Sequence, residues 1–322
     1  MRNLTLRHLR SIIAIAETGK VSTAADALGL TGPAVTLQLK QMEEEAGLRL
    51  FDREPDGMRL TEAGQAMLRI AISIKSELAT LEEQFTALRS GRRGRLRLGA
   101  VSTAKYFAPR MIAGFGRDYP DIEIDLFIGN RTETIDALKR RDIDIALMGR
   151  PPRDLEVKAR IFGDHPLVIV APPDHRLAIR RDITKEELAE EHFLLRETGS
   201  GTRTSLEIFF ADVPTKLEKL GAEMGSNETI KQAVMAGLGI AFISAHTIEQ
   251  ELENGKLVIL DVLGMPIRRQ WFTISRADRS VTPAMQVFNN FLATRGAQYL
   301  PMIDKTYPAE AMAGFGFAQP RA

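Results

Sequence analysis

The spacing of hydrophobic positions changes twice along this chain, and each change predicts a boundary between parts of the fold. Residues 1–61 carry short apolar patterns with helical spacing, separated by glycines and by an Asp-Gly turn. Residues 62–91 carry one long helical pattern, and residues 92–303 alternate short apolar runs with helical stretches. Residues 304–322 contain Gly, Pro and Ala without period, so we expect a disordered tail. The chain is thus predicted to hold two folded domains joined by a long helix.

The stretch TAADALGLTGPAVTLQLKQMEEEAG predicts two helices that meet at a very short turn. Gly29 can supply the positive φ that ends the first helix, and Thr31 can cap the second, with Pro33 in its first turn. Such a pair is a helix-turn-helix with residues 31–46 as its recognition helix, or alternatively an αα-corner in a helical domain. The buried stripe of the second helix is predicted to be Val35, Leu39, Met42 and Ala46.

The exposed side of the second helix and the segment after it suit contacts with DNA. LRLFDREPDGMRLTEAG contains two short apolar runs around an Asp-Gly turn, which predicts a β-hairpin, or wing, with arginines flanking its tip. Small side chains at the start of the helix permit close approach, while amides, hydroxyls and cations can bind base edges and phosphates. We expect DNA contacts from Thr31, Pro33, Ala34, Thr36, Gln38, Lys40, Arg53 and Arg59.

Residues 62–91 have apolar side chains at alternating four- and three-residue steps. The stripe begins at Met67 and Ala71 and is a narrow seam of the kind through which coiled coils pair. It could pack on the core of its own domain, or it could pair with a second copy of the chain. A narrow seam between two domains favours pairing. We expect dimerisation through Ile74, Leu78, Leu81, Phe85 and Leu88.

From residue 92 onward the pattern is α/β. Short apolar runs separated mostly by helical stretches predict βαβ units with mostly parallel strands. The length suits two sheets rather than one, with a cleft between them. The predicted strands are RLRLGAV, IEIDLFIG, DIDIALMG, PLVIVAP, GIAFIS and QWFTISR.

Two predicted helix starts in this region could bind an anion in the cleft. Ser102 and Thr103 end the first strand where a helix begins, and Thr202 lies in GSGTR at the start of another helix. Backbone N–H groups and hydroxyls at helix starts favour anions. Each cation nearby could line the cleft or could equally be a solvated surface residue. The candidate cations are Lys105, Arg150, Arg196, Arg203 and Arg268.

Composition removes several classes of function. With 44% hydrophobic residues the 322-residue chain can bury full cores, and without cysteine it has neither disulfides nor thiolate chemistry. No apolar stretch is long enough to span a membrane or to form a secretion signal, so we expect a cytoplasmic protein. The histidines lack metal-ligand spacing, and the glycine-rich segments match neither a catalytic elbow nor a dinucleotide fingerprint. We therefore expect no catalytic residues, no metal and no cofactor.

HLRSIIAIAETGKVSTAADALGLTGPAVTLQLKQMEEEAGLRLFDREPDGMRLTEAG resembles the N-terminal winged helix-turn-helix of LysR-type transcriptional regulators almost end to end. The resemblance extends over residues 4–302 and implies an α/β fold class with three parts. These are a DNA-binding domain, a long dimerising helix and a two-lobed effector domain like a periplasmic solute-binding protein. It also implies cytoplasmic tetramers built as dimers of dimers. Among the effector-site positions that the resemblance implies are Ser102, Thr103, Thr202 and Asn227.

Within that family, three segments are most similar to regulators of carbon-dioxide-fixation (RuBisCO) operons: GNRTETIDALKRRDIDIALMGRPP, LLRETGSGTR and SNETIKQAVMAGLGIAFISAHTI. One departure is Gly32, where many members carry Gln or Ser, so this chain lacks a side chain for base contact there. A second open point is Asn227, which could equally be the N-cap of the helix that follows it.

The resulting expectation is a transcriptional activator that binds double-stranded promoter DNA as a homodimer or homotetramer. Its effector is expected to be a small anionic metabolite, phosphorylated or carboxylated, and RNA polymerase is a further candidate partner. We expect no membrane partner. The alternative is a cytoplasmic small-molecule-binding protein whose helix-turn-helix mediates protein contacts.

Overall fold

The computed structural model describes residues 3–90, 94–213 and 221–301. The chain divides into two compact units, of which the first ends at Phe85 and the second begins at Thr86. The predicted tail, residues 304–322, lies outside the described residues, and so does the predicted boundary at residues 91–92.

The first unit is helical and contains one β-hairpin. The last helix of this unit is the long one, and Thr61 caps its start, because the Thr61 hydroxyl accepts a hydrogen bond from the backbone N–H of Gly64 at 3.0 Å. The elements in chain order are α1 (Leu6–Thr18), α2 (Val21–Leu28), α3 (Gly32–Ala46), β1 (Phe51–Glu54), β2 (Gly57–Leu60) and α4 (Glu62–Ser90).

The turn between α2 and α3 is built as the sequence predicts. Gly29 has a φ of 66°, and its N–H donates to carbonyls in the last turn of α2. The hydroxyl of Thr31 accepts a hydrogen bond from the backbone N–H of Ala34 at 3.4 Å. Pro33 lies in the first turn of α3, where a missing N–H costs nothing. The prediction of two helices joined by a short turn is therefore confirmed.

One hydrophobic core holds the first unit together. Ile12 of α1 and Val35 and Met42 of α3 are fully buried in it. Met67 and Ala71 of α4 belong to the same core. The first two positions of the predicted seam therefore pack inside their own unit.

The second unit alternates strands and helices. Short 3₁₀ helices at 102–106, 245–247 and 296–299 connect some of them. The elements are β3 (Gly94–Val101), α5 (Ala108–Asp118), β4 (Ile122–Gly129), α6 (Arg131–Lys139), β5 (Ile145–Met148), β6 (Val157–Ala171), α7 (Lys185–Ala189), β7 (Phe193–Arg196), α8 (Gly201–Phe209), β8 (Gly221–Met224), α9 (Asn227–Met235), β9 (Ile240–Ser244), α10 (Glu249–Glu253), β10 (Val258–Ile259), β11 (Ile267–Arg276) and α11 (Pro283–Arg295).

The described strands of this unit form one sheet in the order β4-β3-β5-β11-β6-β9-β7-β8, with β10 paired to β6. The prediction of two sheets is therefore wrong. The prediction of mostly parallel strands holds only towards the two ends, where β3 pairs in parallel with β4 and β5, and β7 with β8 and β9. In the middle, the two longest strands, β6 and β11, run antiparallel.

The β6–β11 pair crosses the whole middle of the sheet. Its register runs from Leu167 opposite Ile267 to Val157 opposite Arg276. A register shift between Trp271 and Phe272 interrupts it, as a β-bulge does. The single sheet arises because these two strands are long enough to take part in both halves.

Two lobes lie at the two ends of this sheet, and each has its own core. Phe107, Phe115 and Phe288 are buried in lobe I. Phe193 and Phe242 are buried in lobe II. The predicted two-lobed α/β fold is therefore confirmed, with the lobes sharing one sheet instead of having one each.

Candidate functional site

The exposed face of α3 is the surface that could meet DNA. Pro33, Thr36, Leu37 and Lys40 lie three or four residues apart, so they share one face, and all are exposed. Leu37 was not predicted, because the sequence interpretation sorted this helix into a buried stripe and polar neighbours. An apolar side chain at this position is suited to contact with a thymine methyl group.

Gln38 is directed towards α1 in this structure. Its Oε1 accepts a hydrogen bond from the hydroxyl of Ser11 at 2.5 Å. Gln41, one turn further along, pairs its Oε1 with Nε2 of His8 at 3.1 Å. Ala34 is half-buried on the same flank. Of the predicted contacts on this helix, the capping Thr31 and the exposed face are therefore open to a partner, while the amide of Gln38 is engaged within the unit.

The predicted wing is present. β1 and β2 pair antiparallel, with Glu54 opposite Gly57 at the tip. Arg53 is exposed, and no described residue pairs with its guanidinium. Arg59 is also exposed and lies 3.2 Å from the carboxylate of Glu54. Both cations are therefore placed where phosphate contacts are feasible, since an exposed ion pair is weak and readily exchanged.

An apolar stripe on α4 is open to solvent in the single chain. The exposed fractions are 36% for Ile74, 38% for Leu78, 42% for Leu81 and 51% for Phe85. The side chain of Leu88 lies outside the described residues. Contiguous apolar surface of this kind marks a contact surface for another molecule.

A cavity of about 500 Å³ lies between the lobes of the second unit. Its size suits a small-molecule ligand. The predicted contacts that line it are Ser102, Thr103, Arg150, Arg196 and Thr202.

Three predicted cations do not line the cavity. Arg203 instead donates to Glu223 and to Glu207, the latter at 3.1 Å, so its charge is already neutralised. Lys105 lies 5.2 Å from the ring centroid of Tyr106. Arg268 faces away because side chains alternate along β11, and its neighbour Arg269 lines the cavity in its place.

Asn227 has a role that neither prediction described. It is not the N-cap of α9, because the hydroxyl of Ser226 accepts from the backbone N–H of Thr229 at 3.0 Å. Nor is it among the residues that line the cavity. Its side chain accepts a hydrogen bond from Arg196 and donates one to Thr103 Oγ1 at 3.4 Å. Asn227 therefore supports two cavity residues from behind.

Arg196 joins the two lobes. It is only 3% exposed, and its guanidinium donates to both carboxylate oxygens of Glu197 at 2.7 and 2.8 Å. It also donates to Ser102 Oγ of lobe I at 3.0 Å. A buried charge needs this kind of paired, hydrogen-bonded environment. Arg196 is therefore a structural bridge in the cavity wall, and much of its hydrogen-bonding capacity is already used.

The cations with capacity to spare are others. Arg150, Arg153 and Arg269 line the cavity, and no described residue makes a hydrogen bond or ion pair to their guanidinium groups. Arg131 also lines it and fastens the segment after β5 by donating to the carbonyls of Arg150 and, at 3.2 Å, Pro151. Burial and the charge of Arg150 lower the pKa of Arg131 from its ordinary value. These charges surround a space that an anion would stabilise.

The start of α8 faces the same cavity. Ser200, Gly201 and Thr202 line it together. The first N–H groups of a helix have no partner within the helix and carry partial positive charge. The sequence predicts a helix start beside the cleft that favours anions, and the structure places the start of α8 there.

A histidine that the sequence did not single out completes the wall. His165 is 7% exposed, and its ring stacks on Trp271 with the ring centroids 4.0 Å apart. Burial lowers its pKa well below the ordinary value, and the charges of His246 and Arg269 add to the effect. His165 is therefore an uncharged polar group among cations.

Two segments of the chain match families of known proteins. Residues 6–65 match the bacterial regulatory helix-turn-helix protein, lysR family, and residues 89–297 match the LysR substrate binding domain. The chain belongs to the LysR family. This LysR-family regulator binds DNA to control transcription and is not an enzyme, as the sequence predicts.

Individual relatives agree with this assignment. The regulator is 60% identical to the HTH-type transcriptional regulator CbbR of Rhizobium meliloti, over 97% of this chain and 99% of that one. It is 42% identical to the RuBisCO operon transcriptional regulator of Allochromatium vinosum, over 92% of this chain and 98% of that one. Its fold also matches the regulatory domain of Synechocystis PCC6803 CcmR in complex with 2-PG. That likeness has a TM-score of 0.58 and 34% identity, and it covers 63% of this chain and 97% of the domain.

The described residues show neither a membrane span nor a metal cluster. None of the helices in the described ranges combines the length and the apolarity that crossing a bilayer requires. Within the same ranges, no three His, Cys, Asp or Glu side chains are grouped as metal ligands would be.

Proposed function

We propose that this LysR-family regulator activates an operon for carbon-dioxide fixation in response to a small anionic metabolite. The relatives named CbbR and RuBisCO operon regulator support the choice of operon, because they match nearly the whole chain at 42–60% identity. The cavity between the lobes supports the choice of effector class. The observation that carries the proposal is the set of cationic side chains in that cavity that no described residue pairs with.

The effector is a phosphorylated or carboxylated metabolite held between the two lobes. Arg150, Arg153 and Arg269 bind its anionic groups, and the start of α8 supplies further donors. The structurally similar regulatory domain of CcmR was solved in complex with 2-PG, a small anion, which supports this chemistry. No cofactor is required.

On the DNA side, the exposed face of α3 enters the major groove and the wing lies along the backbone. The residues of this face that contact the DNA are Thr31, Pro33, Thr36 and Lys40. The small side chain of Ala34 lets the helix approach the DNA closely. Gln38 reaches a base only by leaving its hydrogen bond with Ser11. Arg53 and Arg59 bind phosphates.

Two copies of the chain pair through the exposed stripe on α4. Pairing would cover Ile74, Leu78, Leu81 and Phe85 and would hold two recognition helices at a fixed spacing. Two such dimers form the homotetramer, and RNA polymerase is the partner through which bound activator raises transcription.

One experiment tests operon and effector together. The full-length chain is used to select fragments of genomic DNA, with and without a panel of phosphorylated acids and sugars. We expect enrichment of sites upstream of a carbon-fixation operon, and a changed binding pattern with at least one anion. Enrichment elsewhere, or a pattern that no anion changes, would contradict the proposal.

A pair of variants separates the two parts of the proposal. Arg150→Ala with Arg269→Ala should keep DNA binding and lose the response to anions. The matched control is Arg160→Ala, because Arg160 is exposed and is not one of the residues that line the cavity.

A further inference from the structure

His165 presents an unused hydrogen-bonding atom at the wall of the cavity. Its Nε2 lies 3.0 Å from the hydroxyl of Ser244. Its Nδ1 is buried and has no hydrogen-bond partner among the described residues. A buried polar atom without a partner lowers stability, so its retention needs a reason.

The backbone of Gly149 lies directly against this atom. A Cβ atom added to Gly149 would lie only 2.7 Å from Nδ1 of His165, so any side chain there would press on the ring. Gly149 itself lines the cavity. The glycine therefore covers Nδ1 with backbone alone, so no side chain of residue 149 lies between the ring and the cavity.

The ring cannot turn to find another partner. It stacks on Trp271 with an angle of 18° between the ring planes. Trp271 is in turn held by a hydrogen bond from its Nε1 to Nδ1 of His246 at 3.0 Å. Contacts on one ring face and at Nε2 fix the direction of Nδ1.

The chemistry of the site favours an uncharged partner for Nδ1. Arg269 lies opposite His165 on β11 and already supplies positive charge for an anionic group. A neutral imidazole can either donate or accept at Nδ1, depending on the proton at Nε2, and the hydroxyl of Ser244 can satisfy Nε2 in both cases. A hydroxyl group fits either state of the ring, whereas a carboxylate can only accept.

We propose that His165 selects effectors that carry a hydroxyl group beside their anionic group. The hydroxyl binds Nδ1 of His165 while the anionic group binds Arg269. This rests on the proposed anionic effector and narrows its class to hydroxylated anions, such as hydroxy acid phosphates or sugar phosphates.

The same geometry makes the contact a means of regulation. Nδ1 is enclosed in the structure, so the hydroxyl reaches it only when Gly149, which directly follows β5, moves slightly away from His165 on β6. A hydroxylated anion therefore binds better to the separated arrangement. An effector acts through such a difference in affinity between two states.

The test uses two probes that differ by a single hydroxyl group: 3-phosphoglycerate and its 2-deoxy analogue, 3-phosphooxypropanoate. 2-Phosphoglycolate serves as a third, hydroxyl-free probe. Binding to the full-length chain is measured by calorimetry and by the fluorescence of Trp271, which is the single tryptophan and touches His165. We expect 3-phosphoglycerate to bind wild type about tenfold more tightly than the deoxy analogue, as one added hydrogen bond allows.

Three variants assign that difference to Nδ1. His165→Phe keeps the stacked ring and should bind both probes with the affinity of the deoxy analogue. His165→Asn places a polar atom near the position of Nδ1 and should recover part of the discrimination. His165→Gln places it nearer the position of Nε2 and should not. Thermal unfolding of each variant checks that it folds.

The outcomes separate this inference from the proposed function. Equal binding of the matched probes to wild type, a preference for 2-phosphoglycolate, or discrimination that survives His165→Phe would each overturn the role of His165. The first two results need no variant. Binding of none of the three anions to wild type would refute the proposed effector class and this inference with it.

Discussion

The guanidinium of Arg196 in lobe II donates a hydrogen bond across 3.0 Å to the hydroxyl of Ser102 in lobe I. The same guanidinium is paired with Glu197 and supports Asn227. A residue that first looks like a ligand-binding cation is thus a fixed link between the lobes, and its loss should be felt in stability.

Arg196→Ala should destabilise the effector domain by about 2–4 kcal/mol, because it leaves the largely buried carboxylate of Glu197 without its partner. Ser102→Ala removes one hydrogen bond and should cost only about 0.5–1.5 kcal/mol. Urea unfolding followed by Trp271 fluorescence measures both. Arg160→Ala, a surface change, is the control and should lie within about 0.5 kcal/mol of wild type. A value for Arg196→Ala equal to that control would mean that the bridge contributes nothing.

Leu81→Asp combined with Phe85→Asp should split the proposed dimer, since charge on the exposed stripe of α4 opposes its burial between two chains. Sedimentation should then show monomers, and operator binding should be lost because two half-sites need two linked readers. Ile179→Asp is the matched control, because Ile179 is exposed in the other unit and lies off the stripe. An unchanged oligomer in the double variant would show that other surfaces assemble the protein.

Arg53→Ala should weaken binding to every DNA sequence by the same factor and reduce the salt dependence by about one phosphate contact. Gln38→Ala should instead cost about 1–3 kcal/mol at the preferred site and relax base preference. Binding curves at several salt concentrations, with preferred and scrambled DNA, distinguish the two effects. If Gln38→Ala changes neither affinity nor preference, its amide serves only Ser11 and the reading face is the one with Leu37.

The effector domain should lose stability as pH falls below about 6.5, the ordinary pKa of histidine. Burial lowers the pKa of His246 to about 3, and that of His165 is also well below its ordinary value. Both therefore stay neutral in the folded chain while the unfolded chain takes up protons. Above pH 6.5 these histidines cause no loss of stability. As the pH falls below 6.5, the free energy of unfolding decreases by up to about 1.4 kcal/mol per pH unit for each histidine, until the pH reaches the pKa of that histidine in the folded chain.

Urea unfolding from pH 8 to pH 5, followed by Trp271 fluorescence, measures this slope. His246→Asn keeps a hydrogen-bond acceptor for Trp271. It should lower the dependence of the unfolding free energy on pH by the contribution of one proton taken up on unfolding. A slope that does not change in the variant would mean that His246 is not the group that titrates.

The sequence predicts the first unit well because local chemistry decides it. Gly29, Thr31 and Pro33 determine where the two helices end and begin, and each acts within one turn of itself. The central strands of the second unit are equally clear as short apolar runs. The first half of β6 was missed because VKARIFGDH alternates charged and apolar residues and buries little of either face.

The effector site was predicted only in part, because contacts distant in sequence decide it. Arg268 and Arg269 are neighbours of identical type, and only the register of β11 against β6 shows which one faces the cavity. Arg196 pairs with its sequence neighbour Glu197, but its hydrogen bonds to Ser102 and Asn227 join residues far apart along the chain, so no local pattern reveals that it links the lobes. The sequence does not distinguish His165 from the other histidines, because its contacts with Gly149 and Trp271 arise only in the folded chain.

The unbroken passage of β6 and β11 through both lobes limits the kind of motion that an effector can produce. Two strands joined by hydrogen bonds along their length move as one unit, because separating them would require the backbone ladder between them to break. They yield more easily to a change of twist, and a β-bulge concentrates twist at one point. That point is the register shift at Trp271, directly against the ring of His165. We therefore expect the effector to change the twist of β6 and β11 by a small angle, mainly at the bulge that lies at the wall of the cavity.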